Sequence, residues 1–191
     1  SASGYQPEHK TELPTIWAAG VAVADLNKDG YPDLIFANQG AEAGEEDLYP
    51  DRGLDSYVYW GSATGFDPAH PTLIPTKGAR DLAVADINHD GYLDIAFVNN
   101  SPTAKNVQVF LGGSKGITAG GTQTIQIKDP TSICASDVNG DGFADLLVTT
   151  GVKRTTLGFA ANKNSTQEEH PVYILLGNAQ GVSLERVTEL P

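Results

Sequence analysis

Asp86-Ile87-Asn88-His89-Asp90-Gly91-Tyr92-Leu93-Asp94 sets oxygen-bearing side chains at positions 1, 3, 5 and 9 of nine residues, with glycine at position 6. The pattern recurs in Asp25-Leu26-Asn27-Lys28-Asp29-Gly30-Tyr31-Pro32-Asp33 and in Asp137-Val138-Asn139-Gly140-Asp141-Gly142-Phe143-Ala144-Asp145. Alternating oxygens around a sharp, glycine-permitted turn suit a hard cation with about six to eight oxygen ligands, which describes calcium. A metal-free Asp-Gly turn would explain one such dipeptide. It does not explain three carboxylates crowded into each turn, whose mutual repulsion is costly without a cation. An EF-hand needs a bidentate acid at position 12, where Phe36, Phe97 and Val148 stand instead.

The acidity of the chain has the same origin. Its 191 residues carry a formal charge of −12, from 24 acidic against 12 basic residues. Nine of the 24 are the loop aspartates, and one Ca²⁺ per loop would bring −12 to −6. A basic face for nucleic acid is lacking. No apolar run reaches the roughly 18 residues of a membrane-spanning helix. Cys134, between Ile133 and Ala135, reads as a buried, inert thiol. With no methionine at all, the chain reads as a mature or excised segment.

Loop-to-loop spacings are 61 and 51 residues, the sign of a structural repeat. Val21–Ala24, Leu82–Ala85 and Ile133–Ser136 precede the loops; Leu34–Ala37, Ile95–Val98 and Leu146–Thr149 follow them. Such runs, with little polar alternation, read as strands covered on both faces. A third strand follows in each repeat: Tyr57–Gly61, Val107–Gly112 and Val172–Gly177, each with a second glycine four residues on. Thr72–Pro75, Thr124–Ile127 and Val187–Leu190 read as polar outer edge strands. Residues 38–56 and 150–171 are long insertions, whereas the second repeat crosses there over residues 99–106.

Four strands per repeat describe an all-β chain of three four-stranded antiparallel β-propeller blades. The expected blades are 15–76, 77–128 and 129–191, and segment 1–14 supplies an extra outer strand through Thr11–Pro14. Three blades do not close a ring, so the expectation is a partial ring, or one completed by other chains or copies.

Val21–Phe36 and its two counterparts resemble the FG-GAP and VCBS-type repeats found in integrin α-subunit propellers and many secreted bacterial proteins. The resemblance runs from about residue 15 to 182 and implies three calcium sites, one per blade. The implied ligands are Asp25, Asn27, Asp29, Asp33 and the carbonyl of Tyr31; Asp86, Asn88, Asp90, Asp94 and the carbonyl of Tyr92; and Asp137, Asn139, Asp141, Asp145 and the carbonyl of Phe143. Trp17-Ala18, Gly78-Ala79 and Asp129-Pro130 stand near the family's Phe-Gly position, and Ala37-Asn38-Gln39 near its Gly-Ala-Pro position. These departures are closer to the bacterial VCBS-like branch.

No catalytic constellation emerges. His9, His70, His89 and His170 do not recur between repeats, and nucleophile-elbow and zinc-helix motifs are missing. Tyr49, Tyr57 and Trp60 are candidate ligand-binding aromatics, set against the plainer reading of packing between blades. The sequence therefore predicts a non-enzymatic, calcium-binding adhesion or assembly module. It would be extracellular, cell-surface or periplasmic, with a protein or glycan partner or further copies of itself. The alternatives are a domain of a polysaccharide-degrading, lyase-like enzyme, or a lectin.

Overall fold

The computed structural model describes residues 10–40, 55–117, 122–151 and 170–190, which form twelve strands and no helix. Strands β1 (Ala18–Ala24), β2 (Asp33–Asn38), β3 (Ser56–Tyr59) and β4 (Thr72–Ile74) make the first sheet. The second contains β5 (Ala79–Ala85), β6 (Asp94–Ser101), β7 (Ala104–Phe110) and β8 (Thr122–Gln126). The third contains β9 (Pro130–Ser136), β10 (Asp145–Thr150), β11 (Val172–Asn178) and β12 (Gly181–Leu190). Each is an antiparallel four-stranded meander, as a propeller blade requires. No described helix is long and apolar enough to cross a membrane.

Side-chain alternation stacks the blades. Ile95, Phe97 and Phe110 of the second sheet pack on Leu26, Ile35, Ala37 and Val58 of the first. Ala96, Val98, Val107 and Val109, on its other face, pack on Ile133, Leu146, Val148 and Leu175 of the third. Each sheet thus has a front face toward the preceding blade and a back face toward the following one. Phe97 and Phe110 meet edge to face, with centroids 5.9 Å apart. Burial of one such ring contributes about 1.5–3 kcal/mol.

Only the middle of this stack matches the expectation of strands covered on both faces. Six consecutive β6 residues, Asp94–Asn99, are buried. In β1, by contrast, Val21 and Val23 are 62% and 63% exposed, because no described sheet lies on the front of the first blade. Cys134 is likewise exposed and free, correcting the buried thiol: its side chain points to the back of the third blade, which no described sheet covers. The expected crossing at 99–106 is mostly ladder. Asn99 pairs with Asn106 and Ser101 with Ala104, leaving a two-residue turn. These polar residues stay in the sheet because Asn99 donates to Asn106 and Gln108. The outer strand expected at Thr11–Pro14 is not formed; the Pro14 carbonyl instead accepts the Tyr59 hydroxyl.

The glycines closing β3, β7 and β11 have a steric reason. A Cβ on Gly61, Gly112 or Gly177 would lie 2.2, 2.1 or 2.4 Å from the carbonyl oxygen of Pro32, Leu93 or Ala144. Backbone crowds that space, so a methyl group can enter only by moving a strand. Gly112→Ala should cost about 1–3 kcal/mol and lower the melting temperature by roughly 2–4 °C per kcal/mol. Thermal denaturation followed by circular dichroism checks this, and an unchanged melting temperature would contradict the close approach.

Candidate metal centre

The three loops join the first and second strand of each blade and share one hydrogen-bond pattern. The position-1 carboxylate accepts from the amides at positions 5 and 6: Asp25 from Asp29 at 3.1 Å and Gly30 at 2.9 Å, Asp86 from Asp90 at 3.0 Å and Gly91 at 2.8 Å. Asp137 accepts from Asp141 and Gly142, and also from Gly140. The position-3 Asn oxygen accepts the position-5 amide in all three loops. Its amide nitrogen donates to the position-5 carboxylate, which in turn accepts from the position-7 amide. Glycine at position 6 is needed for φ of 89°, 87° and 89°.

Position 9 is different. Asp33, Asp94 and Asp145 are 0% exposed, yet both oxygens of each carboxylate are bonded. One accepts from the position-2 amide: Leu26 at 2.8 Å, Ile87 at 2.8 Å, Val138 at 3.0 Å. The other accepts from the glycine at the end of the third strand: Gly61 at 2.8 Å, Gly112 at 2.7 Å, Gly177 at 2.9 Å. One carboxylate thus ties the loop, the second strand and the third. The recurring glycine was visible in the sequence as turn punctuation, but its amide's role was not. A second tie, with no sequence signal of its own, lies at the opposite end of each hairpin. Trp17, Gly78 and Asp129 all have positive φ, and their carbonyls accept from Gln39, Asn100 and Gly151. These are the residues standing near the Phe-Gly position.

Burial pushes the Asp33 carboxyl above its ordinary value of 3.8, against the Gly61 and Leu26 amides, and Asp29 and Asp25 push it the same way. Burial likewise raises Asp94, with Asp90 adding to the effect. Asp137, in the open, is lowered by the Gly142 amide and its neighbours. Among the described residues no three carboxylate, imidazole or thiol groups stand together as a ready-made metal cage. The chemistry of the donor set still fits a hard cation. Every side-chain donor is oxygen, and a carboxylate oxygen that accepts one amide keeps a further lone pair.

The aromatics that the sequence offers as candidates for ligand binding are Trp60, Tyr57 and Tyr49. Trp60 is half-buried; its indole nitrogen donates to Thr72 at 2.7 Å and its ring lies against Gly116 of the next blade. Tyr57 is half-buried beside Tyr59, with centroids 6.4 Å apart. Tyr49 lies outside the described residues, as does most of both insertions. His89 is exposed, and His70 pairs with Asp67 in an exposed turn.

The FG-GAP repeat profile matches residues 17–45 and 130–175. Integrin alpha-IIb of Mus musculus is 29% identical over 170 residues, covering 76% of this chain and 16% of that protein. Integrin alpha-7 of Homo sapiens is 33% identical over 163 residues, covering 78% and 14%. The T-cell immunomodulatory protein of Mus musculus is 24% identical over 152 residues, covering 78% and 24%. The chain thus spans less than a quarter of the length of each of these relatives. The blade architecture and these matches together support the FG-GAP propeller family.

The two raised carboxyls make a signed prediction. With Asp33 and Asp94 raised above 3.8, these two groups hold more protons in the folded chain than in the unfolded one in the window just above that pH. Metal-free stability from these groups therefore falls as pH rises through the window. A cation needs both groups ionised, so its stabilisation grows over the same range. The melting-temperature difference between calcium-loaded samples and samples stripped of metal on a chelating resin should widen as pH rises above 3.8. A difference independent of pH would contradict this.

Proposed function

We propose that this chain is a calcium-pinned segment of an FG-GAP propeller that serves as an adhesion, binding or assembly module of an extracellular or cell-surface protein. Calcium offsets the repulsion within each loop and fixes the first hairpin of each blade. The blades are taken as 15–76, 77–128 and 129–191, and the departures at the Phe-Gly and Gly-Ala-Pro positions favour the VCBS-like branch. Support for a non-catalytic role comes from the resemblance to integrin α-subunit propellers and from acids engaged with backbone amides.

One observation carries the assembly reading. The position-2 side chain of each loop points from the back of its blade into the next. Leu26 and Ile87 are 0% exposed there, whereas Val138, their equivalent in the third blade, is 47% exposed. At the other end Val21, Val23 and Leu73 lie open on the front of the first blade. Residues at the same register positions in the second blade, Leu82 and Val84, pack against the first blade. The two faces that the described residues leave open are therefore complementary halves of one repeated interface, and the surface that fits each is another blade of the same kind, whether from this protein or from a further copy.

Sedimentation velocity in calcium tests this. The chain should associate in a concentration-dependent way, and Val23→Asp or Val138→Asp alone should abolish association while keeping the far-ultraviolet circular dichroism of the wild-type sheets. A wild-type chain that stays monomeric at every concentration would overturn the assembly role.

A further inference from the structure

We propose that the calcium loops are coupled in series by Lys28 and His89, at position 4 of the first two loops, each of which seats on the ring at position 7 of the loop that follows. The inference rests on the calcium reading of the loops. The Lys28 ammonium lies 4.6 Å from the centroid of the Tyr92 ring. It also stands 3.7 Å from where a Cβ on Gly91 would lie, so it reaches across the second loop's turn. One blade on, the His89 ring meets Phe143 at 5.9 Å between centroids and 67° between planes. The chemistry differs, ammonium over ring in one junction and ring edge on ring in the other, but the positions joined are the same.

Position 4 is held in the left-handed region in all three loops, with φ of 59° at Lys28, 58° at His89 and 77° at Gly140. Non-glycine residues enter that region at a cost, so the surrounding turn must impose it. The turn does so through the position-3 and position-5 donors on either side. A cation that draws on those donors fixes position 4, and position 4 fixes the neighbouring ring. That ring belongs to the residue whose carbonyl the family resemblance makes a ligand. Order in one loop therefore prepares the next, and linkage makes the effect reciprocal. The series ends at Gly140, which has no side chain to pass on.

Each junction is an exposed cation–π or ring contact, which corresponds to about a two- to fivefold effect on the neighbouring site. Electrostatics alone makes a different prediction: a lysine beside an acidic loop repels a divalent cation, so its removal would raise affinity and leave cooperativity untouched.

Isothermal titration of the whole chain with calcium separates the cases. Wild type should bind with a Hill coefficient above one. Lys28→Gly/His89→Gly copies the residue natural at Gly140 and keeps the turn accessible. It should take up the same number of ions with a Hill coefficient of one. Lys28→Asn/His89→Asn, also tolerant of positive φ but too short to reach the rings, should behave alike. Phe143→Leu should weaken only the second junction. Independent sites in wild type, or unchanged steepness in both double variants, would overturn the coupling and leave the calcium reading intact. No calcium uptake by wild type would overturn both.

Discussion

A fully buried carboxylate at position 9 of each loop is the constraint on which the blades depend. Asp33, Asp94 and Asp145 lie where a lone charge would be strongly disfavoured, and each survives there by accepting two backbone amides. Because one amide comes from the loop and the other from the end of the third strand, the acid closes three strands on one point. The glycine donating the second bond must approach within a distance that leaves no room for a Cβ. Loop, glycine and register are then one device, repeated in all three blades.

From that device the stacking follows. The position-2 amide bonded to the buried acid belongs to Leu26, Ile87 or Val138, and the side chain of the same residue projects toward the following blade. Leu26 and Ile87 are consequently core residues of the two interfaces, and Val138 is left bare. Hairpin geometry and blade packing are set by adjacent atoms of a single residue. A perturbed loop is felt in the core one blade away.

Much of this was legible in the sequence because it repeats. Three copies of one nine-residue pattern, bracketed by apolar runs and followed by a glycine-ended strand, located the hairpins and the four-strand meander. What could not be read is what depends on neighbours in space. Cys134 sits in an apolar run but on an uncovered face, so composition alone made it look buried. Asn99 and Asn106 look like loop residues until their mutual hydrogen bonding keeps them in the ladder. The contact of Lys28 with Tyr92 joins residues of different blades and leaves no local trace. In the loops, the donor set was plain, while the division of labour between an amide-tied position 9 and more open positions 1, 3 and 5 emerged only in three dimensions.

In the proposed role, each loop holds one calcium ion as the structural pin of its blade. Native mass spectrometry of the intact chain, with calcium and after exchange into chelator, tests it most directly. Three calcium ions should bind per wild-type chain, and Asp25→Ala, Asp86→Ala and Asp137→Ala should each retain one fewer. A chain that binds none, or whose count is unchanged by these substitutions, would contradict the account.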